Sequence, residues 1–161
     1  MLKVFTNKSR GFTLIELLVV IAVIGLLASI VLVSVGPARA KARDARRQSD
    51  IRQINLAMEM CYDDAGCVEA EKYPDTVAGA NTLTQIDIDG TPLYLKVPTD
   101  PTNVSPQQYT WTDGNNQYYC VYVKVEAVAN TYVCASNKGV ATLAMTTVPV
   151  NTNCCGADVT K

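Results

Sequence analysis

Arg10-Gly11-Phe12-Thr13-Leu14-Ile15-Glu16-Leu17-Leu18-Val19-Val20-Ile21-Ala22 opens the stretch whose reading decides the fold. From Leu17 to Val35 the chain runs for 19 residues with nothing more polar than Gly25, Ser29 and Ser34, which meets the ~20 apolar residues that a membrane-spanning helix needs. Between Gly11 and Ala38 the one ionisable residue is Glu16. The flanks are basic. Lys3, Lys8 and Arg10 precede the run, and Arg39, Lys41, Arg43, Arg46, Arg47 and Arg52 follow it against Asp44 and Asp50. From Gln53 onward the net charge is -7, so an acidic, solvated remainder follows a basic and apolar beginning. Ala38-Arg39-Ala40 imitates the cleavage site of a secretory signal, but the run exceeds an ordinary signal core, and a carboxylate in its first turn costs roughly 2 to 3 kcal/mol in hydrocarbon.

The 161 residues are 48% apolar and 18% charged, which is a globular composition and excludes general disorder. The chain contains no His, so Ser-His-Asp hydrolysis, Cys-His proteolysis and His-ligated metal sites are excluded. The six cysteines, Cys61, Cys67, Cys120, Cys134, Cys154 and Cys155, contain no C-x-x-C pair, which removes thioredoxin-like and zinc-ribbon readings. Their even number points to disulfides and an oxidising compartment.

Residues 10 to 22 closely resemble the class III signal of type IV prepilins and type II secretion pseudopilins. The resemblance implies that a prepilin peptidase cuts after Gly11, that Phe12 becomes the N-methylated first residue, and that Glu16, fifth in the mature chain, faces the N-terminus of a neighbouring subunit during assembly. It also implies a homo-oligomeric helical filament, an inner-membrane assembly platform and membrane lipids as partners, no cofactor and no enzymatic activity. The chain would be a single-pass membrane protein before assembly and an extracellular or periplasmic filament after it. The excess of bases after the run would, by the positive-inside rule alone, orient the chain the other way.

Beyond the run, Ala38 to Tyr62 lacks Gly and Pro, and Ile51, Ile54, Met58 and Cys61 recur at spacings of 3, 4 and 3. That is an amphipathic helix whose apolar stripe lies on a globular domain. Arg43, Arg46, Arg47 and Arg52 are expected at solvent or against neighbouring subunits. The basic run lacks interleaved aromatics and sits beside a membrane, so anionic headgroups are its expected contact rather than nucleic acid. A helix from Phe12 to Tyr62 would measure roughly 75 Å and kink near Gly36-Pro37. In the family, helices loosen near the position of Gly25, whereas Val33 stands where the family often has proline.

Asp63-Asp64-Ala65-Gly66 ends the helix, and Tyr73-Pro74-Asp75 and Gly79-Ala80-Asn81 mark loops before Leu83, Ile86 and Ile88. Tyr94-Leu95-Lys96-Val97-Pro98-Thr99-Asp100-Pro101, followed by Tyr109-Thr110-Trp111, is similar to the "YL…P.DP…Y.Y" pattern of the major pseudopilin. The alternation in Gln117 to Ala127 and the segment Thr131 to Ser136 predict a β-hairpin, and Val140 to Val150 a further strand. The expected fold is α+β, a pilin-like lollipop with a long N-terminal helix on a small antiparallel sheet. It divides into a leader (1–11), a transmembrane and filament-core helix (12–36), its amphipathic continuation (37–62) and a C-terminal globular domain (63–161). A hairpin centred near Ala127 would bridge Cys120 to Cys134, Cys61 would pair with Cys67 across the turn, and Cys154 and Cys155 would pair with each other or displace one of these partners. The calcium loop of the classical major pseudopilin has no counterpart in Ala135 to Val140, and the pair Asp87 and Asp89 is read as solvated, so no metal is expected.

Two functions fit this reading. One is a structural subunit of a type IV pilus-like filament; the other is a type II secretion pseudopilin driving protein export. A membrane-anchored enzyme would need a convergent acid pair or a nucleophile with its base, and the sequence supplies neither.

Overall fold

The structure, a computed structural model, describes residues 11–64, 71–74, 85–88, 91–112, 117–150, 152–154 and 156. Helix α1 spans Leu14–Asp63, and the chain divides into two compact units, Met1–Ala38 and Arg39–Lys161, just after the Pro37 that lies inside this helix. Pro37 carries no N–H, so the carbonyl one turn back loses its helical partner.

In the first unit α1 is apolar on every side, and none of its side chains is buried. Phe12, Leu14, Val33 and Leu32 are 90%, 87%, 81% and 75% exposed, values that water does not tolerate over a whole helix. The Ser29 hydroxyl donates to the Leu26 carbonyl at 2.7 Å, so the polar side chain in the middle of the run is satisfied within its own turn.

The second unit holds the core. Ile51, Ile54, Met58 and Cys61, the stripe read from the spacing, are all fully buried. Four short strands form an antiparallel sheet in sequence order: β3 (Thr110–Thr112), β4 (Cys120–Lys124), β5 (Thr131–Ser136) and β6 (Gly139–Ala144), while β1 (Gln85–Ile88) and β2 (Thr91–Lys96) form a separate two-stranded antiparallel sheet. The alternation of β4 works as expected. Val121, Val123 and Val125 join Trp111, Val133 and Ala135 in the cluster around the helix stripe, and Cys120 and Tyr122 belong to the other face. The fold is therefore α+β, with the second half of the long helix packed on a small antiparallel sheet, as the sequence predicts.

The end of the helix is held by aromatics. Tyr73 stacks between Tyr62 and Tyr119 at centroid distances of 4.6 and 4.8 Å. The Tyr73 and Tyr119 hydroxyls donate to the Glu59 carboxylate, and burial is the first cause that pushes both phenols well above their ordinary range. The Glu71 N–H closes on the Tyr62 carbonyl at 3.2 Å.

The hairpin register corrects the cysteine expectation. Lys124 pairs with Tyr132, so the connection is centred on Val128 rather than Ala127, and Cys134 faces Tyr122 while Cys120 faces Ser136. A shift of one residue in the centre moves the partner by two places. Cys120 is bridged instead to Cys154, with 5.8 Å between their Cα atoms, which brings the C-terminal segment onto the outer face of the sheet. Cys61 and Cys134 are also disulfide-bonded. Cys67 and Cys155 lie outside the described residues, as do Asp89 and the side chain of Asp87. Ala135 to Val140 forms the tight β5–β6 turn, in which Ser136 pairs with Gly139 and the glycine adopts a φ of 107°.

Candidate functional site

Two clusters stand out, one in each unit. The first is the start of α1. The Glu16 Oε2 accepts the Thr13 backbone N–H and the Thr13 hydroxyl, both at 2.8 Å, while the Glu16 N–H donates to the Thr13 Oγ1 at 3.3 Å. Thr13 is the residue before the first helical one, and Glu16 is third inside, so Thr13-Leu14-Ile15-Glu16 is a capping box. The pattern T-x-x-E before an apolar run was present in the sequence. Read for charge alone, Glu16 needs an opposite charge, whereas the fold also gives it a local role, because it satisfies orphan donors of the helix start and sits at the positive end of the helix dipole. Both Thr13 bonds go to one oxygen, and Oε1 has no partner among the described residues. Phe12 and Glu16 are exposed; Gly11, ahead of them, has open space around its Cα.

The second cluster is organised by Arg47, which the sequence reading places at solvent and the structure buries completely. Its Nε and Nη2 donate to the two oxygens of Asp100 at 2.6 and 3.0 Å, its Nη1 donates to Asp44 at 2.7 Å, and its Nη2 also lies 2.6 Å from Glu126. Arg43, half-buried, donates to the same Glu126 carboxylate. Asp44 in turn accepts the backbone N–H groups of Glu126 and Ala127, and Asp100 accepts the N–H of Thr102 at 2.8 Å and of Asn103 at 3.1 Å. Five charged side chains thus fasten the loop after β2 and the β4–β5 connection to the helix. Charge-assisted, bidentate bonds of this kind are what makes a buried guanidinium tolerable.

The electrostatics follow from that geometry. Burial alone would lower the basicity of Arg47, but the bonds to Asp100, Glu126 and Asp44 outweigh it and raise its pKa above the ordinary value. Burial alone would raise Asp100, yet the bonds from Arg47, Thr102 and Asn103 hold it at about 2. Glu126 is lowered by Arg43 first, against its partial burial, with Arg47 assisting. Next to this cluster the Asp50 carboxylate accepts the Tyr109 hydroxyl at 2.7 Å. Arg46 and Arg52 do remain exposed, as expected of them.

Asp100 is the aspartate of the "P.DP" stretch, so the two segments singled out in sequence serve two different purposes. The first offers an exposed apolar helix with a carboxylate at its head, and the second locks the folded unit. Residues 6–32 match the family model for the prokaryotic N-terminal methylation motif. The chain thus carries a prepilin-type N-terminal motif and is similar to type II secretion pseudopilins and type IV pilins. It is 36% identical over 80 residues to the type II secretion system core protein G of Escherichia coli, covering 50% of this chain and 52% of that one. The corresponding protein of Vibrio cholerae is 30% identical over 103 residues, or 64% of this chain and 58% of its own length. The type IV major pilin protein PilA of Myxococcus xanthus is 30% identical over 71 residues, 44% of this chain and 30% of that pilin. The chain therefore spans about half the length of the curated relatives it matches in protein G. No solved structure matches it.

Proposed function

We propose that this chain is a structural subunit of a type IV pilus-like filament, anchored in the membrane before assembly and polymerised through its N-terminal helix. The observation that carries the reading is the exposure of α1 in the first unit, where none of its apolar side chains is buried. Such a surface must be covered by something, and a bilayer before assembly followed by copies of the same helix after it meets that need twice.

In this reading a prepilin peptidase removes residues 1–11 by cutting after Gly11, and Phe12 becomes the methylated first residue. The segments are then 12–36 for the membrane span and filament core, 37–62 for the helix on the globular unit and 63–161 for the remainder of that unit. Glu16 assists assembly, because its Oε1 is free to accept the amine of a neighbouring Phe12 while Oε2 keeps the Thr13 cap. The described cysteines are disulfide-bonded, which supports an oxidising environment for the folded unit and a final location outside the cytoplasm. The excess of bases after the apolar run does not oppose this orientation, since long domains translocate largely regardless of flanking charge.

A second reading, a pseudopilin of type II secretion that drives protein export, is favoured by the several relatives named as core protein G and by the "P.DP" stretch. Expression beside a prepilin peptidase and an assembly platform tests the common part. Sheared fractions should contain filaments for the parent chain and none for Glu16→Val at equal membrane levels. Loss of an exported protein from the medium when the chain is deleted would select the pseudopilin reading, and its retention the pilus.

A further inference from the structure

Six bases lie between residues 39 and 52, and the fold of the second unit separates them by what they bind. Arg43 and Arg47 are committed to carboxylates of the folded unit. Arg46 lies 3.7 Å from Asp50. Arg39, Lys41 and Arg52 are exposed, and none has an ion pair or a hydrogen bond among the described residues. Asp44, the nearest acid in sequence to Arg39 and Lys41, does not offset them, because its oxygens are taken by Arg47 and by two backbone N–H groups.

Position in the chain separates these three further. Arg39 and Lys41 follow the last apolar residue, Val35, by four and six places, and Arg52 by seventeen. Measured along the helix at ~1.5 Å per residue, the first two follow the run by about 6 and 9 Å of chain and the third by about 25 Å. A headgroup layer extends roughly 5 to 8 Å beyond the hydrocarbon, and a screening length at physiological salt is about 8 Å. A step of two residues turns a helix by about 200°, so the two bases project from opposite sides.

We propose that Arg39 and Lys41 bind the phosphates of anionic phospholipid headgroups, one on each side of the helix, while the chain resides in the bilayer. This rests on the reading of Leu17 to Val35 as a membrane span. The bound lipids fix how deep the helix sits, and they are given up when the subunit leaves for the filament. Arg43 and Arg47, two other bases of the same run, take no part, because the fold has already neutralised them.

The test uses the full chain in nanodiscs of phosphatidylcholine containing phosphatidylglycerol, with either lipid spin-labelled near its headgroup and the broadening of backbone amides read by NMR. Labelled phosphatidylglycerol should broaden amides 38–42 several-fold more than labelled phosphatidylcholine at the same mole fraction. Each of Arg39→Gln and Lys41→Gln should lower that preference about twofold, the double variant should abolish it, and Arg52→Gln should leave it unchanged. Equal broadening by both lipids in the parent chain overturns the proposal, as does a preference that survives the double variant. If neither lipid broadens amides 17–35, the span itself is refuted, which is a different failure from the loss of headgroup selection.

Discussion

Replacing Arg47 by Ala removes the hub of a cluster in which one fully buried guanidinium serves Asp100, Asp44 and Glu126 at 2.6 to 2.7 Å. Three carboxylates then remain in or near the interior with Arg43 as their nearest counter-charge. Breaking a buried pair from one side costs about 3 to 5 kcal/mol, against a total domain stability of about 5 to 15 kcal/mol. The globular unit has about 120 residues, so its unfolding entropy is about 0.25 kcal/mol/K and the loss corresponds to about 12 to 20 °C in Tm. Arg47→Lys keeps the charge but not the fork that reaches two acceptors at once, and should recover less than half of that loss. Trp111, the single tryptophan and 2% exposed, reports the core directly, so urea melts of the full chain in detergent can be followed by its fluorescence. A double-mutant cycle with Asp100→Asn should give a coupling of about 2 kcal/mol or more. If Arg47→Ala loses less than about 1 kcal/mol and couples to nothing, the cluster is solvated and the account of this unit is wrong.

The same cluster predicts an acid dependence. Asp100 is held at about 2, below its ordinary 3.8, so its contribution is fully present above about pH 4 and is lost as the pH falls towards 2. That amounts to about 2 kcal/mol, and Asp100→Asn should flatten the stability curve over this interval in urea melts. Removing the Cys120–Cys154 bridge with Ser at both positions frees a loop of sequence separation 34 and should cost about 4 kcal/mol by denaturant melt, with peptide mapping of the non-reduced parent confirming the linkage. Thr13→Val deletes the hydroxyl of the capping box and should fray the first turn of α1, costing about 1 kcal/mol and speeding amide exchange at residues 14–16, while Ser in its place should not.

Much of the fold was legible because it depends on local patterning. A run of 19 apolar residues identifies its helix without any knowledge of partners, and the 3, 4, 3 spacing from Ile51 to Cys61 and the alternation through Val121, Val123 and Val125 name the buried faces. What escaped depends on residues far apart in sequence. Arg47 looks like any base on a polar helix face, and its partner Asp100 lies 53 residues away, so its burial follows from the tertiary fold alone. The Cys120 partner was missed through a register error of one residue at the turn, which no pattern in Val125 to Thr131 fixes. Thr13 was missed for a different reason. Its capping pattern with Glu16 is fully local, but a carboxylate at the head of an apolar run is equally accounted for by a charge partner, so the pattern alone does not single out the cap.

In this account the exposed apolar helix is the working end of the molecule and the mature chain starts at Phe12. The most direct test is intact-mass and N-terminal sequencing of the chain recovered from membranes of cells that hold a prepilin peptidase. A mature chain beginning with N-methylated Phe12, with the apolar helix retained, is the predicted result. A chain beginning at Lys41, cut after Ala38-Arg39-Ala40, would show that the helix is a disposable secretory signal and would contradict the filament reading.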